Sequence, residues 1–187
     1  VVFKDPNNEE SVNIENAVKD IASISPEKLK FSSYNEGENK DLEAKVKITR
    51  TPTIAILDKD GNYSGLKYSS LPSGHELNSF ILGLYNVAGP GQKVAAESLE
   101  KIEKINKPVN IKIGISLSCT KCPKTVQATQ RIATLNKNVE MEMINIFTFQ
   151  DFKNRYDIMS VPAIIVDDQH IYFGEKTVED MLEIINK

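Results

Sequence analysis

Cysteine is scarce in this chain, two of 187 residues, and histidine is equally rare. A small secreted scaffold needs several cysteine pairs, so a disulfide framework is excluded, and one close pair suits a reducing, cytoplasmic compartment. Basic charge is short as well. Lysine and arginine number 23 against 26 aspartate and glutamate, a formal net charge of −3, which argues against a nucleic-acid surface. Long apolar runs are missing: none approaches the roughly 20 residues of a membrane span, and no charged-then-apolar leader opens the chain. No Gly-x-Gly-x-x-Gly follows a strand-like run either. Gly89-Pro90-Gly91 is a chain breaker, so neither flavin nor nicotinamide would be held here by that motif. What remains is ordinary for a globular protein, 40 % hydrophobic and 26 % charged, enough for one large or two small cores.

Both cysteines fall in one stretch. Val109, Ile111, Ile113, Ile115 and Leu117 alternate with polar or small residues, which reads as a strand. Past Ser118-Cys119-Thr120-Lys121-Cys122-Pro123 the period changes. Val126, Thr129 and Ala133 share one helical stripe, and Ala128, Ile132 and Leu135 share the next. Cys119 is expected at the cap of that helix, with Cys122 in its first turn. Free amides at a helix start favour a thiolate, and Lys121 and Lys124 add positive charge. Cys119 is therefore expected to attack with a lowered pKa, and Cys122 to resolve the mixed disulfide. Pro123 fits the first turn, where its missing N–H is not needed. Downstream, Val161-Pro162 opens the apolar run Ala163-Ile164-Ile165-Val166. A proline there gives up one ladder donor, can hold a cis bond, and leaves a free backbone edge beside the thiols. The same Cys-x-x-Cys spacing also serves as half of a zinc knuckle, although His75 and His170 each stand alone and no metal site is expected.

Cys-x-x-Cys on a first helical turn, followed by Val-Pro before a buried strand, resembles the active half of a thioredoxin-like fold. The finer text Ser116-Leu117-Ser118-Cys119-Thr120-Lys121-Cys122-Pro123, with Val126-Gln127-Ala128 and Val161-Pro162-Ala163 downstream, resembles the N-terminal domain of the flavoprotein component of bacterial alkyl hydroperoxide reductases. That resemblance covers nearly the whole chain. It implies an α/β fold of two contiguous thioredoxin-like units in three α/β/α layers, with the redox pair in the second unit alone. It also implies a thiol–disulfide oxidoreductase that relays electrons from a flavoprotein disulfide reductase to a peroxiredoxin. FAD and NAD(P)H would then belong to a partner or a further module, with no cofactor on this chain beyond the Cys119–Cys122 disulfide.

The chain in order supports two units. Val1-Val2-Phe3 starts a strand; Ile14, Ala17, Val18 and Ile21 mark a helix; Leu29-Lys30-Phe31 alternates as a second strand; Leu42 and Val46 mark a short helix. Thr51-Pro52 then opens the apolar strand Thr53 to Leu57, Asp58-Lys59-Asp60-Gly61 makes a hairpin turn, and Leu77, Phe80, Ile81 and Leu84 face one side of a helix. After Gly89, a helix with Ala95, Leu99, Ile102 and Ile105 introduces the same order again. It runs through Val139 to Met143, a helix with Phe149, Phe152 and Tyr156, the Pro162 strand, and a helix with Val178, Met181, Leu182 and Ile185. Pro52 and Pro162 stand 110 positions apart, and that offset places Glu9 and Val12 where the second unit has its cysteines. The units are expected at 1–88, without redox cysteines, and 89–187, with them. By symmetry an introductory helix is expected upstream of Val1.

One residue of the first unit is expected to serve the second. Ser73-Gly74-His75-Glu76 matches the resembled family at Gly-His-Glu, where the glutamate lies near the thiols, which implies that Glu76 acts as an acid or base for Cys119. Ser73-x-x-Glu76 before an apolar run is equally a capping box. Two further function classes stay open: a general thioredoxin- or glutaredoxin-like reductase with broad clients, and a docking or metal-binding module in which the cysteines are incidental.

Overall fold

The computed structural model describes residues 1–186. Strands β1 (Val2–Lys4), β2 (Ser33–Asn35), β3 (Thr53–Leu57), β4 (Tyr63–Ser69), β5 (Val109–Ile115), β6 (Val139–Asn145), β7 (Ala163–Val166) and β8 (His170–Phe173) form one sheet in the order β2-β1-β3-β4-β6-β5-β7-β8. Helices α1 (Glu9–Ser23), α2 (Lys40–Val46), α3 (Leu77–Ala88), α4 (Ala96–Glu103), α5 (Cys122–Leu135), α6 (Gln150–Arg155) and α7 (Val178–Ile185) cover it, and a 3-10 turn at Gly74–Glu76 leads into α3.

The period of two in the strands divides this sheet into faces. Val2, Ile54, Ile56, Ile111, Ile113, Met141, Met143, Ile164 and Val166 point to one side and pack on residues of α1, α3, α4, α5 and α7 in the main core. Their neighbours point the other way. Ile144, Ala163 and Ile165 meet Phe149 and Phe152 at α6, while Phe3 and Ala55 meet Val46 of α2. Helices on both faces of a mixed sheet give the three layers of a thioredoxin-like α/β fold.

Each half of the sheet repeats one pattern. β1 runs parallel to β2 and antiparallel to β3, which pairs antiparallel with β4. β5, β6, β7 and β8 repeat those relations. The halves meet where β4 pairs in parallel with β6, from Leu66 opposite Met141 to Ser69 opposite Ile144. Charges are buried at this seam. The Ser69 hydroxyl donates to Glu142 across 2.7 Å, Arg50 approaches the same carboxylate at 3.2 Å, and Lys67 Nζ lies 3.9 Å away while donating to the Lys47 carbonyl. The Arg50 guanidinium also lies over the rings of Phe149 and Phe152, joining the loop before β3 to the far half.

The helix α4 is fastened to its half by Ser98, whose hydroxyl donates to Glu179, and by Asn136, whose amide donates to the Ile102 and Ile105 carbonyls. Between α1 and α3 the corresponding space is a cavity of about 860 Å³ lined by Val18, Ile21, Phe80 and Leu84.

Two expectations move. The second strand is not Leu29–Phe31 but Ser33–Asn35, because parallel pairing with β1 sets Val2 opposite Ser33 and takes the Ser32 carbonyl for the Val2 amide. On α3, Phe80 and Leu84 face the core, but Leu77 and Ile81 are 42 % and 40 % exposed. Gly83 accounts for the turned stripe, since it lets the helix lie directly on the hydroxyl of Tyr68.

Candidate active site

The cysteine loop is built by the end of β5. The Cys119 amide donates to the Ser116 carbonyl at 3.0 Å, which closes a tight turn, and α5 begins only at Cys122 with Lys121 at its cap. Cys119 is thus not the cap residue, because it stands two residues before Lys121 in that turn. The helix still addresses its sulfur: the Cys122 N–H donates to Cys119 Sγ across 3.1 Å. The two cysteines are joined by a disulfide with α-carbons 5.6 Å apart. Cys122 is fully buried, and Cys119 is half-buried. Of the two sulfurs, only that of Cys119 is open to a second molecule.

Facing it is the loop before β7. The Val161–Pro162 peptide is cis, and the Val161 carbonyl oxygen lies 3.9 Å from Cys119 Sγ. Pro162 is buried and its carbonyl accepts the Gly174 amide. The first half has its own cis peptide, Thr51–Pro52, without thiols beside it. Lys121 is exposed, and its ammonium has no partner among the described residues. Lys124 instead pairs with Glu175 at 2.8 Å, so its charge is largely met. His75 and His170 are exposed, and no group of three or more His, Cys, Asp or Glu side chains gathers among the described residues.

The turn carrying Glu76 rests on the cysteine loop. The His75 amide approaches the Leu117 carbonyl at 3.4 Å, two residues before Cys119. The capping box does not form: Ser73 makes no side-chain cap bond, and its backbone carbonyl takes the Glu76 amide instead. The Glu76 side chain turns inward and is fully buried, and neither carboxyl oxygen has a hydrogen-bond partner among the described residues. Burial pushes its pKa up to about 7; the Ser79 hydroxyl, near but outside hydrogen-bond geometry, pulls weakly the other way. Its charge also raises the pKa of the buried Tyr68, after burial itself.

Beside Cys119 opens a groove of about 500 Å³, and the residues that shape it carry no motif of their own. Phe147 and Lys153 form one wall, Ile146 and Ile158 lie beneath, and Met159 stands on the loop before Pro162. Phe147 and Met159 are 63 % and 85 % exposed. The one signal in the sequence is Met159 itself, an apolar residue immediately before Ser160-Val161-Pro162.

A half-buried cysteine disulfide-bonded to the first residue of a helix, opposite a cis-proline loop on a three-layer sheet, defines a thioredoxin-like disulfide oxidoreductase domain. Residues 109–186 match the family model described as a thioredoxin domain. The structure of the N-terminal domain of the alkyl hydroperoxide reductase AhpF from Enterococcus faecalis superposes with a TM-score of 0.93 at 36 % identity, over 98 % of this chain and 88 % of that one. The chain belongs to the family of that N-terminal domain. The corresponding alkyl hydroperoxide reductase protein of Staphylococcus epidermidis is 31 % identical over 150 residues, 78 % of this chain but 29 % of its own length. This chain thus spans about three tenths of the curated relative. A protein disulfide oxidoreductase from Aeropyrum pernix shares the fold at 22 % identity, with a TM-score of 0.88 over 98 % of this chain and 82 % of that one.

Proposed function

We propose that this chain carries electrons by thiol–disulfide exchange from a flavoprotein disulfide reductase module to a peroxiredoxin. The observation that carries the reading is the asymmetry of the pair, with Cys119 open to the groove and Cys122 buried directly behind it. In the reduced state the Cys119 thiolate attacks a client disulfide, one client sulfur leaves as a thiolate, and a mixed disulfide forms. Cys122 then attacks Cys119 Sγ, which releases the second client thiol and closes the Cys119–Cys122 bond. Two electrons pass to the client, and the flavoprotein module supplies two more to reopen the Cys119–Cys122 bond.

Each neighbour has a role in this scheme. The Cys122 N–H and the unpaired Lys121 ammonium stabilise negative charge on Cys119. Val161 and Pro162 present the backbone against which the client strand lies. Glu76, whose pKa burial pushes up to about 7, holds or returns the proton that Cys119 must lose and regain. Residues 1–88 then form the unit without thiols that supplies Glu76, and 89–187 the unit that exchanges. Flavin and nicotinamide are assigned to a further module, since the β1–α1 and β5–α5 corners read Asp5-Pro6-Asn7-Asn8 and Ser116 to Lys121 rather than a glycine-rich phosphate turn. A reducing, cytoplasmic setting fits this chemistry.

The test is covalent capture. Cys122→Ser protein in a lysate of the source cells is expected to hold a peroxiredoxin as its main disulfide adduct, lost when Cys119→Ser is added. A broad spread of adducts would make the chain a general disulfide reductase, and no adduct would remove the exchange reading.

A further inference from the structure

The groove beside Cys119 has a composition that the exchange chemistry does not require. Phe147, on the turn between β6 and α6, and Met159, on the loop before β7, stand in solvent on either side of it, with Ile146 and Ile158 at its base. Their placement is held by structure behind them: the Phe147 amide donates to Asn145 Oδ1, and the next residue, Thr148, donates its hydroxyl to Glu10. Lys121 and Lys153 complete the lining, neither ammonium has a partner among the described residues, and no acidic residue lines the groove. On a chain of net charge −3 this is a local positive spot.

We propose that the groove selects clients by sequence: it takes a disulfide whose attacked cysteine stands next to a large apolar side chain and is flanked by carboxylates. The apolar side chain seats between Phe147 and Met159, where it removes both from water, and the carboxylates face Lys121 and Lys153. Phe147, Met159 and Lys153 are specificity determinants, remote from the bonds that break. The proposal rests on the reading that Cys119 exchanges with a protein disulfide.

Its test uses peptides in which a single cysteine carries a 2-thiopyridyl group in disulfide linkage, with Leu or Ala beside the cysteine and Glu or Lys around it. The chain is first reduced with dithiothreitol and desalted. Cys119 attacks the peptide sulfur and expels pyridine-2-thione, which is read by absorbance, and Cys122 then releases the peptide thiol. The Leu–Glu peptide is expected to react roughly tenfold faster than the Ala–Lys peptide, as one partly buried apolar side chain and one screened charge contact allow. Phe147→Ala with Met159→Ala should erase the Leu preference, and Lys153→Gln or about 0.5 M salt should compress the Glu preference. The small neutral disulfide 2,2′-dithiodipyridine should react alike with all these proteins. Four peptides reduced within about twofold of one another, with dithiodipyridine reduced normally, would overturn the groove proposal alone. Failure on dithiodipyridine itself would overturn the exchange reading, and the groove proposal with it.

Discussion

Gly74 lies so close to the backbone of Leu117 that a β-carbon on it would stand 2.7 Å from the Leu117 carbonyl oxygen. This contact seats the Glu76 turn on the cysteine loop, and Gly74 makes it with φ at +56°, where side-chain-bearing residues are strained. Gly74→Ala is expected to lower unfolding free energy by about 2 kcal/mol, read by urea titration. It should also alter the thiol exchange rate, because the turn must back away. A variant of unchanged stability would show that the turn is loosely held.

Glu76 titrates near 7 in the folded chain against 4.5 for an exposed glutamate, because burial penalises its charged form. For an acid whose folded value is raised, the stabilising contribution is complete below about 4.5 and is lost as the pH rises through about 7. Stability gained by Glu76→Gln relative to the parent should therefore grow by roughly 3 kcal/mol between about pH 4.5 and about pH 8. Paired urea titrations at the two ends measure it. The same substitution should remove a step near pH 7 from the rate of Cys119 alkylation; an unmoved profile would leave Glu76 without a part in the chemistry.

At Gly83 the neighbour is a side chain. A β-carbon there would fall 2.1 Å from the Tyr68 hydroxyl, which is buried and donates to Gln130 Oε1 at 2.8 Å. Gly83→Ala is expected to destabilise by about 3 kcal/mol. Tyr68→Phe removes the clashing oxygen, so the double variant should lose at least about 0.5 kcal/mol less than the two single losses together. Additive losses would mean that α3 shifts rather than clashes.

Glu142 balances two cations at the seam between β4 and β6. Its removal in Glu142→Ala leaves Arg50 and Lys67 buried without their counter-charge, and a loss of about 3 to 5 kcal/mol is expected by thermal or urea unfolding. A loss under about 1 kcal/mol would show that water reaches the seam.

Much of this arrangement was legible because the relevant signals are local. The alternation from Val109 needs only the pleat to become β5, and residue type and spacing alone point to the Cys119–Cys122 pair and to a cis bond at Pro162. What stayed hidden depends on contacts far apart in the chain. Ser73-x-x-Glu76 reads alike whether Glu76 folds back onto its turn or points inward, and only packing against the second half decides. Lys67 and Glu142 look like solvent-facing strand residues until β4 and β6 are paired. Leu29-Lys30-Phe31 has a strand's alternation but lacks a partner for its backbone, which Ser33 finds opposite Val2. Phe147 and Met159 pass for ordinary loop residues until the pairing of β5 with β6 and with β7 brings their loops to one side of Cys119.

The seam also constrains the order of events during synthesis. Ser69 and its acceptor Glu142 are 73 residues apart, so β4 leaves the ribosome with one edge open and waits for β6 before it is covered. An unpaired strand invites another nascent chain, and a charge set within it discourages that pairing. Lys67 occupies the middle of the waiting edge. Its ammonium, 3.9 Å from Glu142 in the finished sheet, puts a charge on that edge until β6 arrives.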